Sequence, residues 1–314
     1  MSNYIIIDLE WNQSVSNDKN DEIMPFEIIE IGAVKLDSNL RKKGTYQKLI
    51  QPVKYRKIAP IVTNMTKIHM SDLKYEKKFP YVIKQFLKWC GDDYIFCTYG
   101  SQDLTELQRN MEYHNIEIPW KYPFKYIDIQ RVLGIDYPDS GAQIALEKAV
   151  EYFKLKQGNV YHRALGDALY TSEILKYLKE ESLDKYTSLD HYCIPESLSK
   201  YQSVDLGTHI EALSCLFKDR DEIISEAKNR MILCPICKSK CRKKIQWFSD
   251  GTKHSCVAIC NEHGYIEGHI IFKKKKYGFM YGIKRTQIID EERLNYIIDR
   301  KKNIVNKRKN KQNK

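Results

Sequence analysis

Two carboxylates follow an apolar run near the start of the chain. Asp8 and Glu10 come directly after three isoleucines at residues 5–7, in a stretch with the composition of a buried strand. Side chains alternate between the two faces of a strand, so Asp8 and Glu10 point the same way, a few ångströms apart. Like charges so placed repel unless a cation or a shared proton lies between them, and oxygen ligands suit Mg²⁺ or Mn²⁺. The alternative is an edge strand with a solvated acidic face.

Two further acids occupy positions where α/β sheets build sites, at strand ends and helix starts. Asp103 comes three residues after Gly100, which ends an apolar strand predicted over residues 94–99. Asp167 lies in the first turn of a helix predicted from Leu165 to about residue 180. Taken singly, either acid is better explained as a first-turn residue that interacts with the helix dipole.

A histidine precedes the last of these acids. His162 lies five residues before Asp167, and on a continuous helix the two would point about 140° apart. We therefore place His162 on the loop or at the N-cap that leads into the helix. A histidine with a pKa near neutrality beside metal-bound water is a candidate general base.

The order of the elements around these residues indicates the fold class. Strands predicted over residues 27–36 and 44–50 follow the first strand through short connections, so these strands pair antiparallel. Strands and helices then mix, with a helix over residues 142–153 before the one at Leu165. This pattern predicts an α/β domain, a mixed sheet with flanking helices.

Together these residues resemble a known family. The Asp8-Leu9-Glu10 strand, Asp103, and His162 with Asp167 are similar, in order and separation, to the three motifs of the DEDDh 3′-to-5′ exonucleases over about residues 4–180. The segment at residues 63–68 resembles the family's substrate-contacting segment, although it departs from the commoner Leu-Thr-Gly-Ile form. Trp11 and Asn12 bring the chain closest to the ERI-like and KapD-like branch.

The resemblance implies a ribonuclease-H-like fold and a two-metal hydrolysis of terminal phosphodiester bonds in RNA or single-stranded DNA, which releases nucleoside 5′-monophosphates. In that scheme Asp8 bridges two Mg²⁺ or Mn²⁺ ions and Glu10 and Asp167 complete one site. Asp103 holds the second ion largely through water, and His162 deprotonates the attacking water. Paired ions stabilise both the entering and the leaving oxygen of such a displacement.

Five of the nine cysteines crowd between residues 234 and 260, which in a reducing compartment favours metal over disulfides. Cys234 and Cys237 form one knuckle-like pair and Cys260 and His263 a second, and four such donors predict one structural Zn²⁺ in a zinc ribbon. Four neighbouring residues leave the ligand choice open: Cys241, Cys256, His254 and His269.

The positive charge of the chain is concentrated at its C-terminal end. Residues 231–314 hold 21 Lys and Arg against 7 Asp and Glu, whereas residues 1–230 hold 31 against 34. Such a region usually serves a polyanion, and we expect a nucleic-acid partner. The candidate base-stacking side chains, which could equally fill a small ribbon core, are Trp247, Phe248, Tyr277, Phe279 and Tyr281. With no transmembrane stretch or signal peptide recognised, we expect a cytoplasmic protein with no membrane partner.

We predict an exonuclease domain over residues 1–181, a helical linker over 182–230, a zinc-ribbon-like domain over 231–285, and a helix with a disordered basic tail over 286–314. The linker prediction includes one amphipathic helix over residues 207–231. The alternative to an enzyme is a catalytically idle nucleic-acid-binding adaptor. Such a protein would be expected to lack at least one of the five catalytic residues, and none is missing.

Overall fold

The computed structural model describes residues 3–15, 23–141, 143–156, 158, 161–251, 253–275 and 278–312, with side chains to residue 307. Tyr277 and residues 142 and 313–314, which figure in the sequence predictions, lie outside this part. The chain divides into two compact units, Met1–Tyr192 and Cys193–Lys314. Within the described residues, no helix combines the length and the apolar character that crossing a membrane requires.

The first unit is built on a six-stranded sheet in the order β3-β2-β1-β4-β5-β6. Strand β1 runs antiparallel to β2 and parallel to β4, so the sheet is mixed, as the sequence predicts. The strands are β1 (Asn3–Gln13), β2 (Phe26–Leu36), β3 (Lys42–Leu49), β4 (Tyr94–Thr98), β5 (Lys125–Asp128) and β6 (Ser188–Leu189).

Helices cover both faces of this sheet. They are α1 (Pro60–Thr66), α2 (Met70–Leu73), α3 (Phe79–Cys90), α4 (Gln102–Tyr113), α5 (Ile129–Asp136), α6 (Leu146–Tyr152), α7 (Ala164–Leu175) and α8 (Glu180–Lys185). The alternation along β1 sends Ile5, Ile7 and Leu9 into the core under α3 and α4, and Ile6 into the core under α5 to α7. Asp8 and Glu10 share the parity of Ile6, so they lie on the α7 side of the strand.

One glycine determines how closely α7 approaches the sheet. Gly32 on β2 pairs with Asp8 on β1. A Cβ added at Gly32 would lie 2.1 Å from the carbonyl carbon of Ala164 and 2.1 Å from the amide nitrogen of Leu165. The first turn of α7 therefore packs directly against the main chain of β2 at Gly32, and this contact brings that turn beside the acids of β1.

The second unit is a larger sheet than the predicted ribbon. Its six strands lie in the order β7-β8-β12-β11-β10-β9. They are β7 (Val204–Asp205), β8 (Ile210–Leu213), β9 (Arg242–Ser249), β10 (Lys253–Cys260), β11 (Gly264–Lys274) and β12 (Met280–Ile289). The helices are α9 (Arg220–Ser225), α10 (Ala227–Arg230) and α11 (Glu291–Gln312).

Two sequence expectations about this unit were wrong. A single helix over residues 207–231 is replaced by β8 and two short helices, because β8 pairs with β12 and buries all four of its residues. The stretch predicted as a disordered tail from Arg300 is mostly helical, because α11 begins by burying Leu294 and Ile297 against the sheet and then continues to Gln312. Its high charge was mistaken for disorder, although lysine and arginine are good helix formers.

Candidate active site and zinc centre

The acidic residues of the first unit converge at the carboxyl end of β1. Carboxylate oxygens of Asp8, Glu10 and Asp167 all lie within 4.8 Å of one another. The first two come from one strand and the third from the first turn of α7, which the Gly32 contact holds in place. The structure thus brings Asp167 beside two acids that lie far earlier in the chain.

Asp103 reaches the same end of β1 from the opposite face. The parallel pairing of β1 with β4 ends at Ile6 and Cys97, so the amide of Leu9 has no partner on β4. That amide donates to Oδ1 of Asp103, in the first turn of α4, at 3.1 Å. Asp103 is not one of the three acids that lie within 4.8 Å of one another. After burial, however, repulsion by the Asp103 charge is the largest cause of the raised pKa of Asp8.

The pKa values of these acids are all raised. Burial is the main cause at each, and repulsion by nearby carboxylates adds to it; at Asp167 these are Glu147 and Glu30. The pKa of Asp8 lies well above its usual value, that of Glu10 rises to about 8, that of Asp103 to about 7 and that of Asp167 to about 6. The protein alone therefore cannot hold all four carboxylates ionised near neutral pH.

One oxygen in the cluster has no protein partner. Oδ2 of Asp167 accepts the backbone N–H of His162 at 3.1 Å, but Oδ1 is buried without a hydrogen bond among the described residues. A buried carboxylate oxygen without a donor is costly. Oxygen donors, raised pKa values and this free lone pair are the features that fit a hard divalent cation.

His162 lies on the loop before α7, as predicted, with a positive φ of 56°. Its side chain is 42% exposed, and Nε2 lies 3.3 Å from Oε1 of Glu147 on α6. The backbone of His162 therefore contacts the acidic cluster, whereas its ring faces Glu147.

Sequence reasoning missed the residues that support the cluster. Glu30, opposite Glu10 on β2, is fully buried and accepts two hydrogen bonds from Arg163, at 2.8 and 2.9 Å. It also accepts from the backbone N–H of Ala164 at 3.2 Å and from Gln47 at 2.7 Å. Glu30 thus ties the start of α7 to β2 and β3. The available signal was a charged residue inside the apolar run of β2.

The four predicted zinc ligands also come together. One donor atom from each of Cys234, Cys237, Cys260 and His263 lies within 4.8 Å of the others. The sulfurs of Cys237 and Cys260 are 3.6 Å apart, and Nδ1 of His263 lies 3.5 and 3.6 Å from the sulfurs of Cys234 and Cys260. A tetrahedral Zn²⁺ with its usual bond lengths requires about 3.8 Å between sulfurs and about 3.6 Å between sulfur and nitrogen. The donor set fits zinc.

The neighbouring candidates have other contacts. Cys256 is buried beneath Gly268 in the middle of β10, and His254 stacks on Trp247 with ring centroids 5.2 Å apart. His269 lies beside Glu267, and the thiol of Cys241 contacts the carbonyl of Ser239. Backbone amides and the His263 ring lower the pKa of the Cys260 thiol to about 6, which favours the thiolate that a metal needs.

A mixed sheet with helices on both faces, and acids that converge at the end of one of its inner strands, match the ribonuclease-H-like exonuclease fold. Residues 5–175 match the exonuclease family model of the RNase T type. This match covers more than half of the chain, and the chain therefore belongs to this exonuclease family. No curated protein matches the chain.

Several solved structures are similar to part of this chain, and the 3′hExo nuclease domain and a second 3′-exonuclease share its fold. The nuclease domain of 3′hExo, a DEDDh family member bound to rAMP, is 20% identical with a TM-score of 0.53, over 60% of this chain and 97% of that one. A 3′-exonuclease described in 3′-end-specific recognition of a histone mRNA stem-loop is 22% identical with a TM-score of 0.50, over 60% and 85%. The match to the cell-death-related nuclease CRN-4, at 21% identity and a TM-score of 0.48, spans 60% of this chain and 66% of that one.

Proposed function

We propose that this protein is a metal-dependent 3′-to-5′ exonuclease that removes nucleoside 5′-monophosphates from RNA or single-stranded DNA. The observation that carries the proposal is the convergence of Asp8, Glu10 and Asp167 within 4.8 Å, with Asp103 at the same strand end. Family membership and the fold of the 3′-exonuclease neighbours support it.

In this proposal the four acids are the ligands of two Mg²⁺ or Mn²⁺ ions. Asp8 would contribute to both metal sites, Glu10 and Asp167 would complete one of them, and Asp103 would serve the other. When bound, such ions polarise the phosphate and lower the pKa of water. The chain itself supplies the spacing of the ligands, which β1, α4 and α7 determine, and the buried environment that makes the cations necessary.

His162 is proposed as the residue that takes the proton from the attacking water. Its position supports this role, because its backbone donates to Asp167 while its exposed ring is free of the protein core. In the present conformation the ring lies against Glu147 of α6.

For the second unit we propose one structural Zn²⁺ held by Cys234, Cys237, Cys260 and His263. The support is the near-tetrahedral spacing of the donors. With four protein ligands no coordination position is left open, which suits a structural role.

A single gel tests the main proposal. RNA and DNA oligonucleotides labelled at the 5′ end are incubated with the protein and Mg²⁺ or Mn²⁺, and shortening from the 3′ end is expected. Asp8→Asn should abolish this activity, whereas Asp92→Asn, the same change at an exposed acid, should leave it unchanged. Equal rates for the parent and Asp8→Asn would refute the assignment. An intact oligonucleotide that still binds the parent would favour the idle adaptor.

A further inference from the structure

The second unit contains a groove that the proposed chemistry does not use. Its volume is about 540 Å³, and it lies between β9 and the second half of α11. Three lysines and no acid occur among its lining residues, which are Lys244, Ile245, Ile298, Lys301, Lys302, Val305 and Asn306.

The groove exists because α11 buries only its first turns. Leu294 and Ile297 pack against β9, β10 and β12. The same stripe continues along the helix to Ile298 and Val305, at helical spacing, yet Val305 is 41% exposed. Ile298 still packs on the cluster of Leu294 and Ile297, so Val305 is the residue of this stripe that offers exposed apolar surface to the groove.

Two lysines of the groove lie over aromatic rings. Nζ of Lys244 is 4.4 Å from the centre of the Tyr265 ring, and Nζ of Lys301 is 5.4 Å from that of Phe248. These contacts with aromatic rings hold two lysine side chains, and their positive charge, in place beside the groove. The sequence continues this charge, because residues 300–314 hold eight Lys and Arg and no acid.

The charge and the small apolar floor select among possible occupants. Three aliphatic side chains are too few to anchor a helix in a bilayer, where such helices carry large apolar residues along their whole length. They are also too few for a stable protein interface, which buries about 800 Å² on each partner. Lysines that flank a narrow apolar floor, with an amide at Asn306, match the alternating phosphates and bases of a single strand.

We propose that this groove, the β9/α11 groove, binds single-stranded nucleic acid, with Lys244, Lys301 and Lys302 contacting phosphates. This inference rests on the proposed function only in taking a nucleic acid as the substrate. Lys302 also pairs with Asp299 at 3.3 Å, but both side chains are more than two-thirds exposed, so a phosphate readily replaces that partner.

The test measures binding with no added Mg²⁺ or Mn²⁺, so that cleavage does not contribute. The probe is a 15-nucleotide oligouridylate labelled with fluorescein, followed by anisotropy at a series of NaCl concentrations with the full chain. Lys244→Gln combined with Lys301→Gln should weaken binding about tenfold at low salt and reduce the slope of log K against log salt by about 1.4, the value for two lost phosphate contacts. Lys84→Gln combined with Lys88→Gln, the same charge change on exposed residues of α3, should leave both unchanged.

An unchanged affinity and slope in the groove variant would overturn the proposal. The proposal would also be overturned if the groove variant lost binding to phosphatidylserine vesicles, or lost dimerisation, but bound the oligonucleotide as the parent does. Hydrolysis of a labelled trinucleotide by the parent tests the proposed nuclease separately. If the parent cleaves the trinucleotide and the groove variant binds the 15-mer normally, nucleic-acid binding in the groove is excluded and the proposed nuclease activity still holds.

Discussion

Replacing Asp8 by Asn should stabilise the protein when no divalent cation is added. At an effective dielectric of about 20, two ionised carboxylates 4.8 Å apart, the outer limit for Asp8 and Glu10, repel by about 3.5 kcal/mol. Asp8 is only partly ionised because its own pKa is raised, so the expected gain is smaller. We expect Asp8→Asn to be about 1–2 kcal/mol more stable than the parent at pH 8.5.

The pH dependence has a definite sign. A carboxyl whose pKa is raised by folding stabilises the fold fully below its unfolded pKa, and this stabilisation is lost as pH rises through its folded pKa. For Glu10 those values are 4.5 and about 8, so between pH 6 and 8.5 the parent should lose about 2.5 kcal/mol through this residue alone. The advantage of Asp8→Asn should accordingly shrink at pH 6.

The assay is urea unfolding in buffer freed of divalent cations, followed by tryptophan fluorescence. Three of the four tryptophans, Trp11, Trp89 and Trp120, lie in the first unit, so the signal reports mainly on that unit. Added Mg²⁺ should stabilise the parent and not Asp8→Asn, which reverses their order. The reasoning is refuted if Asp8→Asn is no more stable than the exposed-site control Asp92→Asn at pH 8.5, or if the parent is equally stable at both pH values.

Three further changes test the supports of the two sites. Gly32→Ala should displace α7, cost several kcal/mol of unfolding free energy and weaken Mg²⁺ binding measured by calorimetry. Gly44→Ala, where an added Cβ would have no atom nearer than 3.9 Å, should have none of these effects. Equal effects of the two variants would contradict the close contact at Gly32. Arg163→Gln should leave Glu30 buried without its ion pair and cost about 3 kcal/mol in urea unfolding, and a loss below about 1 kcal/mol would show that the pair does not support the site. Cys260→Ser should lower the zinc content measured by atomic absorption from one per chain towards zero, and Cys241→Ser should keep it; the reverse result would exchange the ligands.

The sequence was sufficient for the central elements of the first unit. Alternation along β1 predicted that Asp8 and Glu10 share a face, and the helical period after Gly100 and Leu165 predicted α4 and α7. The order of these elements predicted the mixed sheet. The convergence of the acids, however, depends on how closely α7 approaches β2, and a single glycine in an apolar strand does not reveal that distance.

The second unit was harder to predict because its organisation is non-local. Cysteine spacing predicted which side chains come together at Cys234, Cys237, Cys260 and His263, since each knuckle is a local structure, and their binding of zinc stays a prediction. Strand β8 is a short segment of four residues, and its pairing with β12, about 70 residues later in the chain, has no local signal. The anchoring of α11 depends on two residues, Leu294 and Ile297, within a stretch dominated by charge.

The backbone contact at Gly32 has a consequence for how the site can change over time. Because main-chain atoms of β2 and α7 touch directly, atomic radii limit how closely the helix approaches the sheet, and the Glu30–Arg163 pair holds the start of the helix there. Substitutions elsewhere in the core can accumulate without altering that distance. The distance between β2 and α7 therefore stays constant while the surrounding loops diversify, and the carboxylates keep their separation.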